Sequence, residues 1–334
     1  MSSGCCSMFS MNSKSRIVAV FVLGLASAMI VAGVLLPRLF PEERPVPLGL
    51  QHTTFTLEDE DATVGPGYLG VGKDEPIQAP VARQFNMQLG QPATEEEATV
   101  RVGVSNARTN VDDDLESLLD AQVYSYRLNR MNGEAVGEAK VSDSPATPPK
   151  AVELEGSWAK FPVDTKQQSY EYFDWTARHA YPAEFRGTER RETSSGGEKE
   201  IYLFRQEIPA EKVSSRYSGI RNAIVKDGDR AELYHGGWRE LAVEPASGMI
   251  VGIEEHIQDE YRNAEGEAVE PLLTFEGRTT EANERLMLDQ ADELGGKRST
   301  EKWGRGVFWA GVILLLAALV VALRRERKRR ATSV

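Results

Sequence analysis

The stretch Val123–Val136, VYSYRLNRMNGEAV, decides the fold class. Tyr124, Tyr126 and Leu128 alternate with Ser125, Arg127 and Asn129, the period of two that belongs to a strand with one buried face. Asn132-Gly133 then supplies the strongest short-range hairpin signal, because both residues tolerate positive φ. Outward from this hairpin the pattern recurs. Ala98–Val104 (ATVRVGV) alternates, and Leu241–Ile253 (LAVEPASGMIVGI) repeats the form around a turn at Pro245–Gly248. Glu200–Gln206 and Leu272–Glu276 are further strands. Helices are expected only over Val111–Ala121, where acids precede Leu115, Leu118 and Leu119, and over Glu281–Leu294, closed by Gly295-Gly296. The reading is a mainly β (β-rich α+β) domain. The loop Ser142–Lys150 divides it into two subdomains.

The ends of the chain set an expected topology. Ile17–Leu36 is a run of 20 uncharged residues and Gly306–Leu323 a second of 18. At 1.5 Å per residue each approaches the roughly 30 Å of a bilayer's hydrocarbon. Lys14 and Arg16 precede the first run, and Arg324, Arg325, Arg327, Lys328, Arg329 and Arg330 follow the second. Basic flanks stay in the cytoplasm. The expectation is a two-pass plasma-membrane protein with both termini cytoplasmic: residues 1–16, a span at 17–36, an extracytoplasmic domain at 37–305, a span at 306–323 and a basic tail at 324–334. Ala26-Ser27-Ala28 has the form of a signal-peptide cleavage site, but apolar sequence follows it, so an uncleaved anchor is the reading preferred. The four prolines of residues 37–47 read as an extended stalk.

Of 39 basic residues, two precede the first run and six follow the second, which leaves 31 in residues 37–305 against 50 of the 51 acids, a net charge of −19. Such a domain excludes nucleic acid as partner and disfavours lying flat on anionic lipid. Cys5 and Cys6 fall before the first run, and a start at Met11 would remove them. The domain is therefore held by its core and not by disulfides.

Signatures of chemistry are missing. Gly67-x4-Gly72-Lys73 is followed by Asp74 where a phosphate-binding loop needs Ser or Thr, so residues 65–74 read as a flexible loop. His52, His179, His235 and His256 lack the spacings of metal ligands, and no G-x-S-x-G elbow occurs. Asp112–Asp114 read as the acids of a first helical turn. The sequence points to no enzyme, no cofactor, no metal and no catalytic residue.

One segment stands out. KFPVDTKQQSYEYFDWTARHAYP, residues 160–182, holds six aromatic side chains. As a strand it places Tyr170, Tyr172 and Asp174 on one face and Glu171, Phe173 and Trp175 on the other. The expectation puts Phe173 and Trp175 in the core, with Tyr170 and Tyr172 facing a ligand cleft and Asp174 at its rim. A strand whose aromatics simply fill the core is the alternative.

The boxes Phe161 to Asp174 (F-P-x-D-T, then Y-x-Y-F-D), Tyr202 to Gln206 (Y-x-F-x-Q) and Val243 to Val251 (V-E-P-x-S-G-x-I-V) resemble an actinobacterial family labelled PorA, found in mycolate-bearing bacteria. One mycobacterial member is a polar growth factor tied to trafficking of trehalose monomycolate beside an MmpL-type transporter. The resemblance implies an envelope-biogenesis factor that binds or hands over a mycolyl glycolipid or lipoglycan precursor. Its alternative is a structural partner or regulator of such a transporter. Two helical spans and an acidic domain are not the pattern of an outer-membrane barrel.

Overall fold

The computed structural model describes residues 13–39, 45–70, 72–144, 147–216, 219, 221–295 and 299–331. Cys5, Cys6 and Met11 lie outside them. The chain forms two units, residues 44–296 and the two terminal segments.

In the larger unit the period-two segments all become strands: β1 (Thr54–Val64), β2 (Ile77–Ala93), β3 (Glu97–Arg108), β4 (Leu118–Asn129), β5 (Ala135–Ser142), β6 (Lys150–Glu153), β7 (Tyr170–Asp174), β8 (His179–Glu192), β9 (Glu198–Lys212), β10 (Ala223–Lys226), β11 (Asp229–Glu244), β12 (Met249–Arg262) and β13 (Ala268–Thr279). They build one antiparallel sheet in the order β6-β5-β4-β3-β2-β1-β13-β12-β11-β9-β8-β7, with β10 paired to β11 alone. Strands consecutive in sequence pair, except β6 with β7 and β9 with β10, and the first pairs with the last. The sheet thus curls into a barrel with a single seam, between β6 and β7.

A strap, residues 154–169, closes that seam. Ser157 N donates to Glu171 O of β7 (2.9 Å), Ser157 O accepts from Phe173 N (2.8 Å), and Ala135 N of β5 donates to Gly156 O (3.3 Å). Further along, Phe161 N donates to Gly248 O (2.7 Å) and Thr165 N to Pro245 O (2.9 Å), so the strap is seated on the β11–β12 turn. One sheet runs through both halves of the chain, and the loop at 142–150 separates no subdomains.

Alternation decides which side chains fill the barrel. Along β3 Ala98, Val100, Val102 and Val104 are buried, while Thr99, Arg101 and Ser105 look outward. Outward positions on other strands carry Glu184, Arg186, Arg190 and Glu254. An apolar inside and a charged outside is the reverse of a lipid-facing barrel.

Two helical expectations change. Only Asp114–Ser117 is helical (α3), capped by Asp113 Oδ1, which accepts from Leu115 N (2.8 Å) and Glu116 N (3.0 Å). Leu118 and Leu119 already belong to β4, because burying Leu119 in the barrel outweighs extending a short exposed helix. Residues Pro66–Leu69 form a helical turn (α2) rather than open loop, held where Tyr68 Oη donates to Asp120 Oδ2 (2.6 Å). Helix α4 (Glu281–Gly295) falls where expected and buries Met287, Leu288 and Ala291.

The smaller unit pairs helix α1 (Ser13–Leu39) with helix α5 (Ser299–Ala331). They approach closely at small residues: a Cβ on Gly33 would lie 2.7 Å from Gly304 O, and one on Gly311 would lie 3.0 Å from Ala26 O. Among the described residues one segment, Trp303–Val320, is long and apolar enough to cross a membrane, and the apolar part of α1, Val20–Leu36, is shorter. The expected pair of spans is therefore reduced to one candidate. Of the Pro-rich stretch, residues 37–39 continue α1 and 40–44 lie outside the described residues.

Gly248 has φ +74, and a Cβ there would sit 2.2 Å from Phe161 O, so the strap demands glycine. Gly248→Ala should lower stability by about 1–3 kcal/mol through backbone strain, with the clash adding to it. Gly196→Ala, at φ +81 in open space, should cost only about 1 kcal/mol. Urea unfolding of the two variants checks the difference.

Candidate functional site

Inside this apolar barrel runs a belt of polar side chains, all but Tyr68 of α2 at an inward position of a strand. At one end Tyr68 Oη meets Asp120, whose Oδ1 accepts from Asn106 Nδ2 (2.8 Å). Asn106 Oδ1 accepts from Arg83 Nε (2.7 Å), and Arg83 Nη1 donates to Glu255 Oε2 (2.6 Å). Glu255 Oε1 accepts in turn from Arg239 Nε. Arg239 also donates to Gln206 Oε1 (2.8 Å) and to Asp174 Oδ2 (3.0 Å). His235 lies beyond, with Nε2 3.2 Å from Asp174 Oδ1, off the line of a good hydrogen bond, and Nδ1 2.6 Å from Asp259 Oδ1. The belt draws on β4, β3, β2, β12, β11, β9 and β7, and so reaches across the barrel.

Arg239 is 0% exposed. Its guanidinium lies 4.1 Å from the Trp175 ring centroid, while Arg83 sits 4.4 Å from that of Phe275, so aromatic faces complete the cages of both cations. Burial alone would push the Asp174 carboxyl up. His235, Arg239 and the N–H of Ala177 overcome it and hold the group well below the usual carboxylate range. Burial likewise pulls the His235 imidazole down, but Asp174 and Asp259 together raise its pKa to about 10. At neutral pH His235 is a buried imidazolium between two carboxylates.

The aromatic segment takes part in both belt and seam. Phe173 and Trp175 are core residues, as expected. Tyr172 and Asp174 are equally buried, Asp174 within the belt rather than at a rim and Tyr172 against a small cavity. The strap is the reason: Phe161 stacks on Tyr172 (centroids 5.9 Å) and Trp158 packs on Phe173 (5.7 Å), covering β7 on both sides. Tyr170 is half-buried, and its Oη accepts from Lys166 N (2.8 Å). Gln206 donates to the carbonyls of Tyr172 (2.5 Å) and Tyr181 (3.1 Å). The boxes quoted from the sequence thus meet in space: Phe161 to Thr165 on the Val243–Val251 hairpin, and Asp174 with Gln206 around Arg239.

Arg83, Asn106, His235, Arg239, Glu255 and Asp259 were not singled out by sequence reasoning. The signal was present, since each occupies an inward position in an alternating run, as in Ile253-Glu255-Ile257-Asp259-Tyr261. Among the described residues no cluster of His, Cys, Asp or Glu suits a metal ion.

Little space remains inside. A cavity of about 30 Å³, lined by residues including Phe85, Trp158, Tyr172 and Trp175, holds about one water. A polar depression of about 590 Å³ lies between the β8–β9 turn and α4, bordered by Arg191, Thr193, Glu284 and Arg285.

Comparison with known proteins agrees with the boxes. A family model described as "Porin PorA" matches residues 18–320. A protein named Porin PorA from Corynebacterium resistens is 24% identical, covering 94% of this chain and 98% of its own. A second of that name, from Corynebacterium amycolatum, is 24% identical over 80% of this chain and 83% of its own. These names overturn the expectation of a factor that handles mycolyl glycolipid or regulates its transporter. The two-pass plasma-membrane placement falls with it, since one candidate span is present among the described residues and the relatives are named porins.

Removing a buried cation strands its partners. Arg239→Ala should destabilise the barrel by about 3–5 kcal/mol, whereas Arg190→Ala, which breaks an exposed pair with Glu198, should stay within about 1 kcal/mol. Urea midpoints measure both. His235 has a raised pKa, so its contribution is complete below about 6.5 and is lost as pH rises through about 10. The stability advantage of wild type over His235→Gln should shrink across that window. An advantage that stays constant or grows would contradict the imidazolium assignment.

Proposed function

The chain belongs to the PorA porin family, and on that premise we propose that it works at a membrane, attached through α5, in the passage of small polar solutes. The observation that carries this reading is the ring of strands with fixed charges set across its lumen. In the form described the belt and the aromatic core fill that lumen, so this is the closed state. Passage through the barrel would require the belt to part and take up water. Charged groups of both signs would then line the route and set its ion preference. No catalysis is part of this reading. We also read the mycobacterial polar growth factor as a relative within the family, supported by the F-P-x-D-T and Y-x-Y-F-D boxes.

A second reading rests on the charged exterior of the barrel. With most of the exposed large apolar side chains on α1 and α5, the barrel would be a water-facing module and the conducting path would lie elsewhere.

Single-channel recording of the purified full chain in planar bilayers separates the two. Discrete conductance steps whose cation–anion preference changes in Glu255→Gln are expected if solutes cross the barrel. Steps that ignore belt substitutions place the path outside it. No conductance, with α5 shown to be protected from protease by the bilayer, removes the porin reading.

A further inference from the structure

Lys160, on the strap, is the one lysine among the described residues that is fully buried, at 1% exposure. Its Nζ donates to the carbonyl of Met131 in the β4–β5 turn (2.9 Å). That turn is moulded to it: Gly133 has φ +82, and a Cβ there would lie 2.3 Å from Lys160 O and 2.7 Å from its Cγ. Neighbouring charged groups have partners of their own. Asn132 Nδ2 donates to Glu134 (2.8 Å), Arg130 donates to the carbonyls of Val46 (2.8 Å) and Thr94 (2.6 Å), and Ser247 Oγ donates to Glu244 (2.6 Å). Glu155 of the strap lies 3.8 Å from His179 Nδ1, Glu171 of β7 is exposed, Asp164 is anchored where its N donates to Ala246 O of the β11–β12 turn (3.5 Å), and Lys166 N donates to Tyr170 Oη (2.8 Å). Burial is the cause that lowers the Lys160 amine, from 10.5 to about 7.

The strap has few backbone bonds. It joins β7 through one residue, Ser157, and meets the β11–β12 turn through a few more, whereas every other junction in the ring is a strand ladder; the rest of its hold is the packing of Trp158 and Phe161 into the core. It also carries Trp158 and Ala159, which form part of the wall of the internal cavity. We propose that the strap is a proton-linked closure of the barrel seam: Lys160 leaves Met131 for water, gains a proton as it goes, and the strap lifts from β7 and the turn with it. An amine buried without a paired carboxylate favours the uncharged form, and water favours the charged one. Opening and proton uptake are therefore one event, and opening lays bare the aromatic wall of the cavity.

Linkage fixes the sign. Between the pKa of the closed strap and that of a free lysine, opening binds one proton, so each unit fall in pH makes it tenfold more frequent. Below about 7 both forms carry the proton and the dependence stops. The test is amide hydrogen exchange on the full chain from pH 9 to pH 6, each rate divided by its intrinsic value. The amides of Ser157, Phe161 and Phe173, which hold the strap down, should open tenfold more often per unit from pH 9 to 7 and then level off. Val102, in the β3 ladder, should not share that profile. In Lys160→Met the slope should vanish. If that variant fails to fold, the wild-type profile still decides: strap amides with no slope between pH 9 and 7, or with the slope of Val102, overturn the proposal. A slope that persists unchanged in a folded Lys160→Met does the same.

Discussion

A guanidinium that no water reaches has to be satisfied by protein, and Arg239 sets the terms for the strands around it. Its hydrogen bonds end on Asp174 of β7, Gln206 of β9 and Glu255 of β12, and Glu255 passes the constraint on to Arg83 of β2. A register slip of one residue would turn any of these groups outward and leave the others charged and unpaired. Buried ion pairs add little net stability over well-packed apolar residues. What this set contributes is a unique alignment, tying strands from both halves of the sequence to one point.

Much of the barrel was legible in the sequence because alternation is a local property. The hairpins at Asn132-Gly133 and Pro245–Gly248 stand where the turn residues put them. The seam was not legible, since residues 154–169 have no period and acquire their role only by lying between β6 and β7. Residues 111–121 misled for a related reason: acids and leucines at helical spacing describe the isolated segment, whereas Leu119 answers to the barrel interior. The belt was half legible. An acid or arginine at the inward parity of an apolar run is a local signal, but its partners lie up to 172 residues away, as Arg83 and Glu255 do.

The two units treat solvent in opposite ways. The barrel turns its charge outward and encloses its apolar residues, while α1 and α5 leave Phe21, Leu23, Trp309 and Ile313 uncovered and meet each other at small residues. A barrel that crossed lipid would invert the first pattern, and a helix pair made for water would invert the second. The porin relatives match both units along most of their length, so the contrast belongs to the protein as a whole.

The pairing of β1 with β13 also has a bearing on how the chain reaches this form. Leu57 and Thr279, partners in the closing ladder, are separated by most of the unit's sequence. Topologies dominated by such distant pairings fold slowly, because a large loop must close before the contacts that reward it are made. During synthesis the sheet grows hairpin by hairpin, yet its first strand keeps an open edge until the last has emerged. An unpaired edge is a template for strands of other chains. The short acidic run Glu58–Asp61 lies on that first strand, and like charge there would repel a second copy for as long as the ring stays open.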